Sequence, residues 1–72
     1  MNWLANMIEI IKVETKNVKV GKRYYSFDYK IWRGKKLINE GIDSGSHTRH
    51  PSTIRKALLT GYATELIIQR YL

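Results

Sequence analysis

The sequence predicts an α+β domain in which a three-stranded antiparallel meander is followed by one C-terminal helix packed across one face of the sheet (β-β-β-α). Three observations predict this arrangement. Residues 24–32 alternate apolar and polar side chains, which is the period of a half-buried strand. Residues 51–72 carry apolar side chains at a 3.6-residue period, which is typical of a helix. Gly34 supplies a turn between two of the strands.

Length and composition indicate a single small domain spanning residues 1–72, near the lower size limit for a self-supporting core. The chain has no cysteine, so it has neither a disulfide nor a thiolate metal site, which fits either a cytoplasmic location, the one we expect, or indifference to redox state. Its start lacks the basic region and long apolar run of a secretory signal. No window holds the roughly 18 apolar residues of a membrane span, so we expect no contact with a membrane.

The first part of the chain is the least clear. Residues 1–7, with Trp3 and Leu4, fit either a single turn of helix or a cap over an open end of the core. Residues 8–14 (IEIIKVE) are rich in β-branched side chains and predict a first strand. Its alternation breaks at residues 10–11, which fits either a bulge or a strand buried on both sides. Residues 15–23 then predict a turn or long hairpin loop, or an extension of a strand through Val18 and Val20.

Residues 24–32 form the clearest strand. One face, expected to be core, carries Tyr25, Phe27, Tyr29 and Ile31. The opposite face carries Tyr24, Ser26, Asp28, Lys30 and Trp32. Residues 33–35 make a tight turn in which Gly34 can adopt a positive φ. Residues 36–43 (KLINEGID) form the third strand, which Gly41 weakens or bulges, and residues 44–50 form a polar loop.

The C-terminal helix carries two apolar stripes. Ser52 is the expected N-cap, and Pro51 disfavours helical geometry at the residue before it. The stripe expected to face the sheet contains Ile54, Ala57, Leu58, Gly61, Ile68 and Leu72. The second stripe contains Leu59, Tyr62 and Leu66, with Ala63 and Ile67 alongside. A helix that is apolar nearly all round is either fully buried or shared with a partner.

The second stripe therefore predicts an interface, in the first place with the same helix of a second copy, as a homodimer. The residues assigned to it are Leu59, Tyr62, Leu66, Ile67 and Arg70. Gly61 and Ala63 would let two helix backbones approach closely. Another protein is the alternative occupant of this face.

Few residues suggest catalysis. The spacing His47-x-x-His50, with Asp43 four residues upstream, is compatible with metal ligands, but ordinary loop histidines are the favoured interpretation because zinc sites carry more ligands. His47 is also a candidate base for RNA cleavage, since an imidazole titrates near neutrality. No second catalytic group is paired with it in sequence. We therefore expect no catalytic residue, no metal site and no cofactor.

The charge is more informative. Lys and Arg total 13 against 6 acidic residues, a formal charge of +7, which favours a polyanionic partner. The basic residues flank the strongest hairpin and the helix start, where helix amides would add to phosphate binding. On the outer sheet face, Tyr24, Lys30 and Trp32 fit a surface that stacks bases or spans a groove. The alternative is that Tyr24 and Trp32 are cross-strand packing partners. The predicted nucleic-acid contacts are Lys22, Arg23, Lys30, Trp32, Arg33, Lys35, Lys36, Arg49, Arg55 and Lys56.

The first functional hypothesis is thus a small basic protein that binds duplex or structured RNA or DNA, of the kind found among phage-type accessory factors. The second is an accessory or inhibitor module that binds a host protein through the C-terminal helix. The two are compatible, since a dimer through the helix would also double the basic surface.

Residues 25–66 resemble the β-β-α half of a double-stranded RNA-binding domain. The similarity lies in a strand ending at a Gly turn (SFDYKIWRGKK), a strand with Gly-x-x-x-Gly (LINEGIDSG), and a helix with small residues and a basic start (TIRKALLTGYATELI). The resemblance implies phosphate contacts by Arg55 and Lys56 across a major groove. The chain has no room for the family's first helix, and residues 19–23 replace its Gly-Pro-x-His loop. The same element order also resembles the DNA-binding domains of some phage integrases.

Overall fold

The structure, a computed structural model, describes residues 10–72. Three strands, β1 (Ile11–Val20), β2 (Tyr24–Arg33) and β3 (Lys36–Ser46), are followed by α1 (Pro51–Ala57), a kinked connecting segment (Leu58–Tyr62) and α2 (Ala63–Tyr71). The strands pair antiparallel in the order β1-β2-β3. The predicted β-β-β-α fold is therefore confirmed. The expectations for residues 1–7 and for residues 8–9 of the first strand lie outside the described residues.

The central strand β2 places its alternate residues as predicted. Tyr25, Phe27, Tyr29 and Ile31 are at most 6% exposed and form the sheet side of the core. The helical side of the core consists of Ile54, Leu58, Ala63, Leu66 and Ile67. Gly34 has φ 59 in the two-residue turn that joins β2 to β3, since Arg33 pairs with Lys36. The core is thus a single layer between one sheet face and the helical segment.

Strand β1 is longer than predicted. It continues through residues 15–20, which the sequence had indicated mainly as a loop. Its irregularity lies not at residues 10–11 but at Asn17 and Val18, which together oppose Phe27 between the pairs Lys16–Asp28 and Lys19–Ser26. Asn17 takes φ 54, a conformation that Asn tolerates better than most residues, and its amide donates to Asp28 Oδ2 at 2.6 Å. This bulge shifts the side-chain alternation of β1 between Thr15 and Val18 and lets β1 stay paired with β2.

The isoleucine pair at the start of β1 is not buried on both sides. Ile10 is 75% and Ile11 40% exposed, because β1 is an edge strand. The alternative of a doubly buried strand is therefore wrong for these two residues.

Strand β3 also extends further than predicted, to Ser46. The register shift on this side lies between Ile31 and Trp32, where Ile38 is the extra residue, and not at Gly41. Gly41 and Gly45 instead face Tyr29 and Tyr25 across the strand pair. A Cβ at Gly45 would overlap the Tyr25 hydroxyl, so glycine lets this ring lie flat over β3. The Gly-x-x-x-Gly spacing thus serves packing of two tyrosine rings.

His50, and not Ser52, caps α1. The His50 Nδ1 accepts a hydrogen bond from the Ser52 amide at 3.2 Å, and its backbone is extended, as an N-cap requires. Pro51 occupies the first helical position, where a missing N–H costs nothing. The cap lies two residues earlier than expected because the imidazole supplies the acceptor that the Ser52 hydroxyl was expected to supply.

The helical segment is kinked at Gly61, where φ is 136° and ψ is −17°. The kink changes which residues face the sheet. Before it, Ile54 and Leu58 are buried as predicted; after it, Ala63, Leu66 and Ile67 are buried, whereas Ile68 is 47% and Leu72 58% exposed. The predicted stripe therefore holds only for the first half, since a straight 3.6-residue period does not continue through Leu58–Tyr62.

Candidate nucleic-acid interface

The turn between β1 and β2 and the link between β3 and α1 lie side by side at one end of the sheet. The His47 amide donates to the Arg23 carbonyl at 2.9 Å, and the His47 ring Nε2 bonds the Gly21 carbonyl at 2.9 Å. Farther along, Arg55 Nη1 donates to the Val18 carbonyl at 3.4 Å. These bonds bring together two basic stretches that are far apart in sequence.

We call this region the basic end. It consists of exposed cations on β1, on the β1–β2 turn, on the β3–α1 link and on α1: Lys19, Lys22, Arg23, Arg49, Arg55 and Lys56. No Asp or Glu occurs in residues 15–27 or 44–64, which include the whole basic end. None of its charges is therefore neutralised by an acid from its own segments. Lys22, Arg23, Arg49, Arg55 and Lys56 were predicted contacts, and Lys19 joins them here.

Tyr24 stands at the same end. Its side chain is 66% exposed, and its ring lies against Gly21, whose amide donates to the Tyr24 carbonyl at 2.7 Å. An exposed ring beside arginines offers a surface on which a base can stack. Sequence reasoning placed Tyr24 with Lys30 and Trp32 on the outer sheet face, where rings can stack bases, but did not include it among the predicted contacts. Its position at the strand end, next to the basic turn, is the signal that marks it.

His47 holds this end together. Its Nδ1 accepts from the Arg49 amide at 3.2 Å, so in this geometry the proton sits on Nε2, which donates to the Gly21 carbonyl. Both ring nitrogens are thus engaged by backbone atoms. A role for His47 as a base would require breaking one of these two bonds.

The start of α1 has no spare amide to offer a phosphate. The Ser52 amide bonds the His50 ring, and the Thr53 and Ile54 amides bond the His50 carbonyl at 3.0 and 3.2 Å. Pro51 has no N–H. The expected contribution of free helix amides is therefore wrong for this helix, and any anion binding here depends on side chains.

Lys30 and Trp32 lie apart from the basic end, on the outer sheet face. In the register of the sheet Lys30 sits between Glu14 and Glu40, so two carboxylates flank it. Trp32 is half-buried, and its Nε1 is buried with no hydrogen-bond partner among the described residues. Lys30 is thus in a locally acidic row and the Trp32 indole is largely covered. The structure does not bring these two predicted contacts together with the others.

Arg33, Lys35 and Lys36 form a second basic group at the opposite end of the hairpin. Strand β2 has ten residues, and at about 3.3 Å per residue its two ends are about 30 Å apart. The predicted contacts therefore divide into two separate groups, with a face of mixed charge between them.

The predicted helix interface is divided as well. Leu59 and Tyr62 are 60% and 39% exposed, at the kink, and an interface through them stays a prediction. Leu66 and Ile67 are 7% and 0% exposed in the chain's own core, because the kink turns them toward the sheet. These two residues were wrongly assigned to an outer interface. Ala63 is likewise core, so it cannot let two helices approach.

Arg70 is also committed within the chain. Its Nη1 donates to Asp43 Oδ1 at 2.7 Å and to the Ser44 carbonyl at 3.2 Å. Asp43 is 5% exposed on the helix-facing side of β3, and its Oδ2 has no partner among the described residues. Arg70 therefore links α2 to β3, and because its side chain is 41% exposed, its assignment to an outer interface stays a prediction. Sequence reasoning missed this pair because 27 residues separate its members.

Two tyrosine hydroxyls lie beside this ion pair. Burial raises the pKa of Tyr25. The neighbouring Tyr62 and Asp43 add to this rise, and Arg70 opposes it. A hydrogen bond with Tyr71 raises the pKa of Tyr29, and burial adds to that effect. The Tyr29 and Tyr71 rings stack with centroids 4.9 Å apart. Both phenols are thus held in the neutral form under α2.

The described part of the chain contains no group of three His, Asp or Glu side chains placed to hold a metal ion. None of its helices has the length and apolarity needed to cross a membrane. Comparisons with protein-family models, with curated proteins and with solved structures give no significant match to this chain.

Proposed function

We propose that the protein binds nucleic acid through phosphate contacts made by the basic end. The observation that carries this proposal is the convergence there of exposed cations from two distant segments that contain no acid. Such a surface attracts polyanions independently of sequence, because each phosphate neutralised releases condensed counterions.

Arginine suits this role better than lysine. Arg23, Arg49 and Arg55 present planar guanidinium groups that can donate two parallel hydrogen bonds to one phosphate. The backbone at Arg23 and Arg49 is held in place by the hydrogen bonds from His47 to the Gly21 and Arg23 carbonyls and by the hydrogen bond from the Arg49 amide to the His47 ring, whereas Arg55 lies in α1. The loss of entropy on binding is therefore limited mostly to side chains. Tyr24 beside them adds a stacking surface for an unpaired base.

The expected signature is a steep dependence on salt. If about five phosphates are neutralised, log K should fall against log salt with a slope of about −4 to −5. Binding should be measured with duplex and single-stranded DNA and RNA from about 50 mM salt upward, where such contacts are strong. The nucleic-acid form that binds best then identifies the partner.

The decisive variant combines Arg23→Gln and Arg49→Gln. We expect binding to weaken alike for all sequences and the salt slope to become shallower by about two units. The matched control is Lys35→Gln with Lys36→Gln, which removes the same charge at the other end of β2. It should change the slope by much less, because those side chains lie about 30 Å away.

Two results would overturn the proposal. One is the absence of detectable binding to any of the four nucleic acids at about 50 mM salt. The other is an equal loss in both double variants, since this would mean that net charge alone, and not the basic end, is responsible. Thermal melting of each variant should first show that the fold is kept.

A further inference from the structure

The two edges of the sheet differ in how they are protected. Edge strand β1 carries Lys12, Lys16 and Lys19, is bulged at Asn17, and has its Val18 carbonyl covered by Arg55. Lysines, bulges and covering side chains are the features that prevent one sheet edge from pairing with another. Strand β1 is therefore a poor template for an additional strand.

Edge strand β3 is less protected: Arg70 covers its Ser44 carbonyl, but residues 37–48 carry no lysine and no bulge lies near the middle of the strand. It is 11 residues long, and among the described residues only β2 pairs with it. Residues 37–48 contain no Lys, Arg or Pro, and the bulge at Ile38 lies near one end. Ile42, near the middle of the strand, is 73% exposed. A long edge of this kind presents unpaired N–H and C=O groups to solvent.

The direction of these groups follows from two hydrogen bonds. The His47 amide donates inward, to Arg23 at the start of β2. Backbone groups alternate in direction along an antiparallel strand, so those of Ser44, Ile42 and Glu40 point to the free edge. The hydrogen bond from Arg70 to the Ser44 carbonyl is consistent with this direction, because Arg70 reaches that oxygen from outside the sheet. That oxygen retains a second lone pair for another donor.

We propose that this edge pairs with β3 of a second copy, antiparallel about a two-fold axis at Ile42, to form a continuous six-stranded sheet. In this register the two Ile42 residues exchange N–H···O=C bonds and place their exposed side chains next to each other. Each Glu40 lies opposite Ser44 of the second copy, which keeps the two Glu40 carboxylates apart. The arrangement does not depend on nucleic-acid binding.

Charge favours a second copy as the occupant. At +7 the chain repels another copy of itself over most of its surface. Residues 37–48 are the exception: their only acids are Glu40 and Asp43, and Asp43 is paired with Arg70. The cation at this edge is Arg70, which is paired with Asp43 and bonded to Ser44, and in the proposed register Ser44 lies opposite Glu40 of the second copy. Each Arg70 therefore approaches an acid of the other copy, and two-fold pairing is the commonest closed symmetry.

Sedimentation tests the proposal directly. At about 100 μM, where a micromolar dimer is almost fully formed, the parent chain should sediment with twice the monomer mass. Ile42→Lys places a charge on each side of the axis and should sediment as a monomer. The matched control Ile68→Lys changes a residue 47% exposed on α2 and should remain a dimer.

Cross-linking gives a second measurement that does not depend on the lysine variant folding. The chain has no cysteine, so Ile42→Cys introduces a single thiol. A hydrogen-bonded antiparallel pair has Cα atoms about 5.5 Å apart, which is within disulfide range. Mild oxidation should convert Ile42→Cys to a covalent dimer and leave Ile68→Cys largely monomeric. A parent chain that sediments as a monomer, or equal cross-linking of the two cysteine variants, would overturn the proposal.

Discussion

At the scale of single residues, the Asp43–Arg70 pair is the least expected feature of the molecule. A carboxylate that is 5% exposed loses most of its hydration, and Arg70 supplies the compensating charge at 2.7 Å. Arg70 is itself 41% exposed, so it remains partly hydrated while holding the buried partner. The pair therefore orients α2 against β3 without burying two full charges.

Arg70→Met tests this pair while keeping much of the aliphatic stem. The change leaves Asp43 buried without a cation, and we expect the free energy of unfolding to fall by about 3 kcal/mol. Urea denaturation measures it. Adding Asp43→Asn to Arg70→Met should recover part of the loss, because a neutral amide costs less to bury. Arg49→Met is the exposed control, and its free energy of unfolding should stay within about 0.5 kcal/mol of the parent value. Equal stability of Arg70→Met and the parent would contradict the role assigned to Arg70.

The buried tyrosines predict how stability depends on pH. Because the pKa values of Tyr25 and Tyr29 are raised in the folded state, folding retains protons that the unfolded chain loses. Their contribution is fully present below the ordinary phenol pKa of about 10 and is lost as pH rises through the raised values. Urea unfolding between about pH 8 and pH 11 should therefore show stability falling at the alkaline end.

The double variant Tyr25→Phe, Tyr29→Phe isolates this effect, because it removes both phenols and keeps both rings. Its stability should fall less steeply with alkaline pH than that of the parent, while lysine titration is common to the two proteins. Parallel pH curves would show that neither phenol has a raised pKa.

At the scale of secondary-structure elements, the kink at Gly61 decides which side of the helical segment is buried. Gly61 has φ 136°, a region that side-chain-bearing residues rarely adopt. A Cβ placed there would meet no atom within 4 Å, so the requirement for glycine is conformational and does not come from crowding. The kink is what allows Ile54 before it and Ile67 after it to reach the same core.

Gly61→Ala should therefore lower the free energy of unfolding by about 1–2 kcal/mol, the cost of a left-handed conformation for an alanine. Denaturant unfolding measures this, with Gln69→Ala on the exposed side of α2 as the control. A variant as stable as the parent would mean that the segment can straighten at no cost, and the buried set Ala63, Leu66 and Ile67 would then be in question.

At the scale of the whole molecule, three surfaces with different charge follow from one sheet and one kinked helical segment. The basic end collects exposed cations free of local acids, and the outer face alternates cations with carboxylates such as Glu14 and Glu40. The β3 edge carries no cation between residues 37 and 48. The two proposals use different surfaces accordingly: a polyanion is proposed at the basic end and a second copy at the β3 edge.

Much of the fold could be predicted from local pattern. The alternation through Tyr25, Phe27, Tyr29 and Ile31 determined the core face of β2, because a strand has a side-chain period of two whatever it pairs with. Gly34 determined the position of the hairpin turn, and the helical period determined that a helix follows the sheet. The high positive charge determined the class of partner to be tested.

Tertiary structure alone decided where those patterns meet. Pairing with β2 extends β1 to Val20 through a bulge, and the kink at Gly61 exchanges Ile68 for Ile67 in the core. Lys30 acquires carboxylate neighbours from two other strands, whereas Arg23 and Arg49 are brought together by His47. Strand register, the side of the kinked segment that is buried, and long-range hydrogen bonds all depend on residues distant in sequence. A local period therefore determines which side of a strand or helix is apolar, but not which residues contact that side.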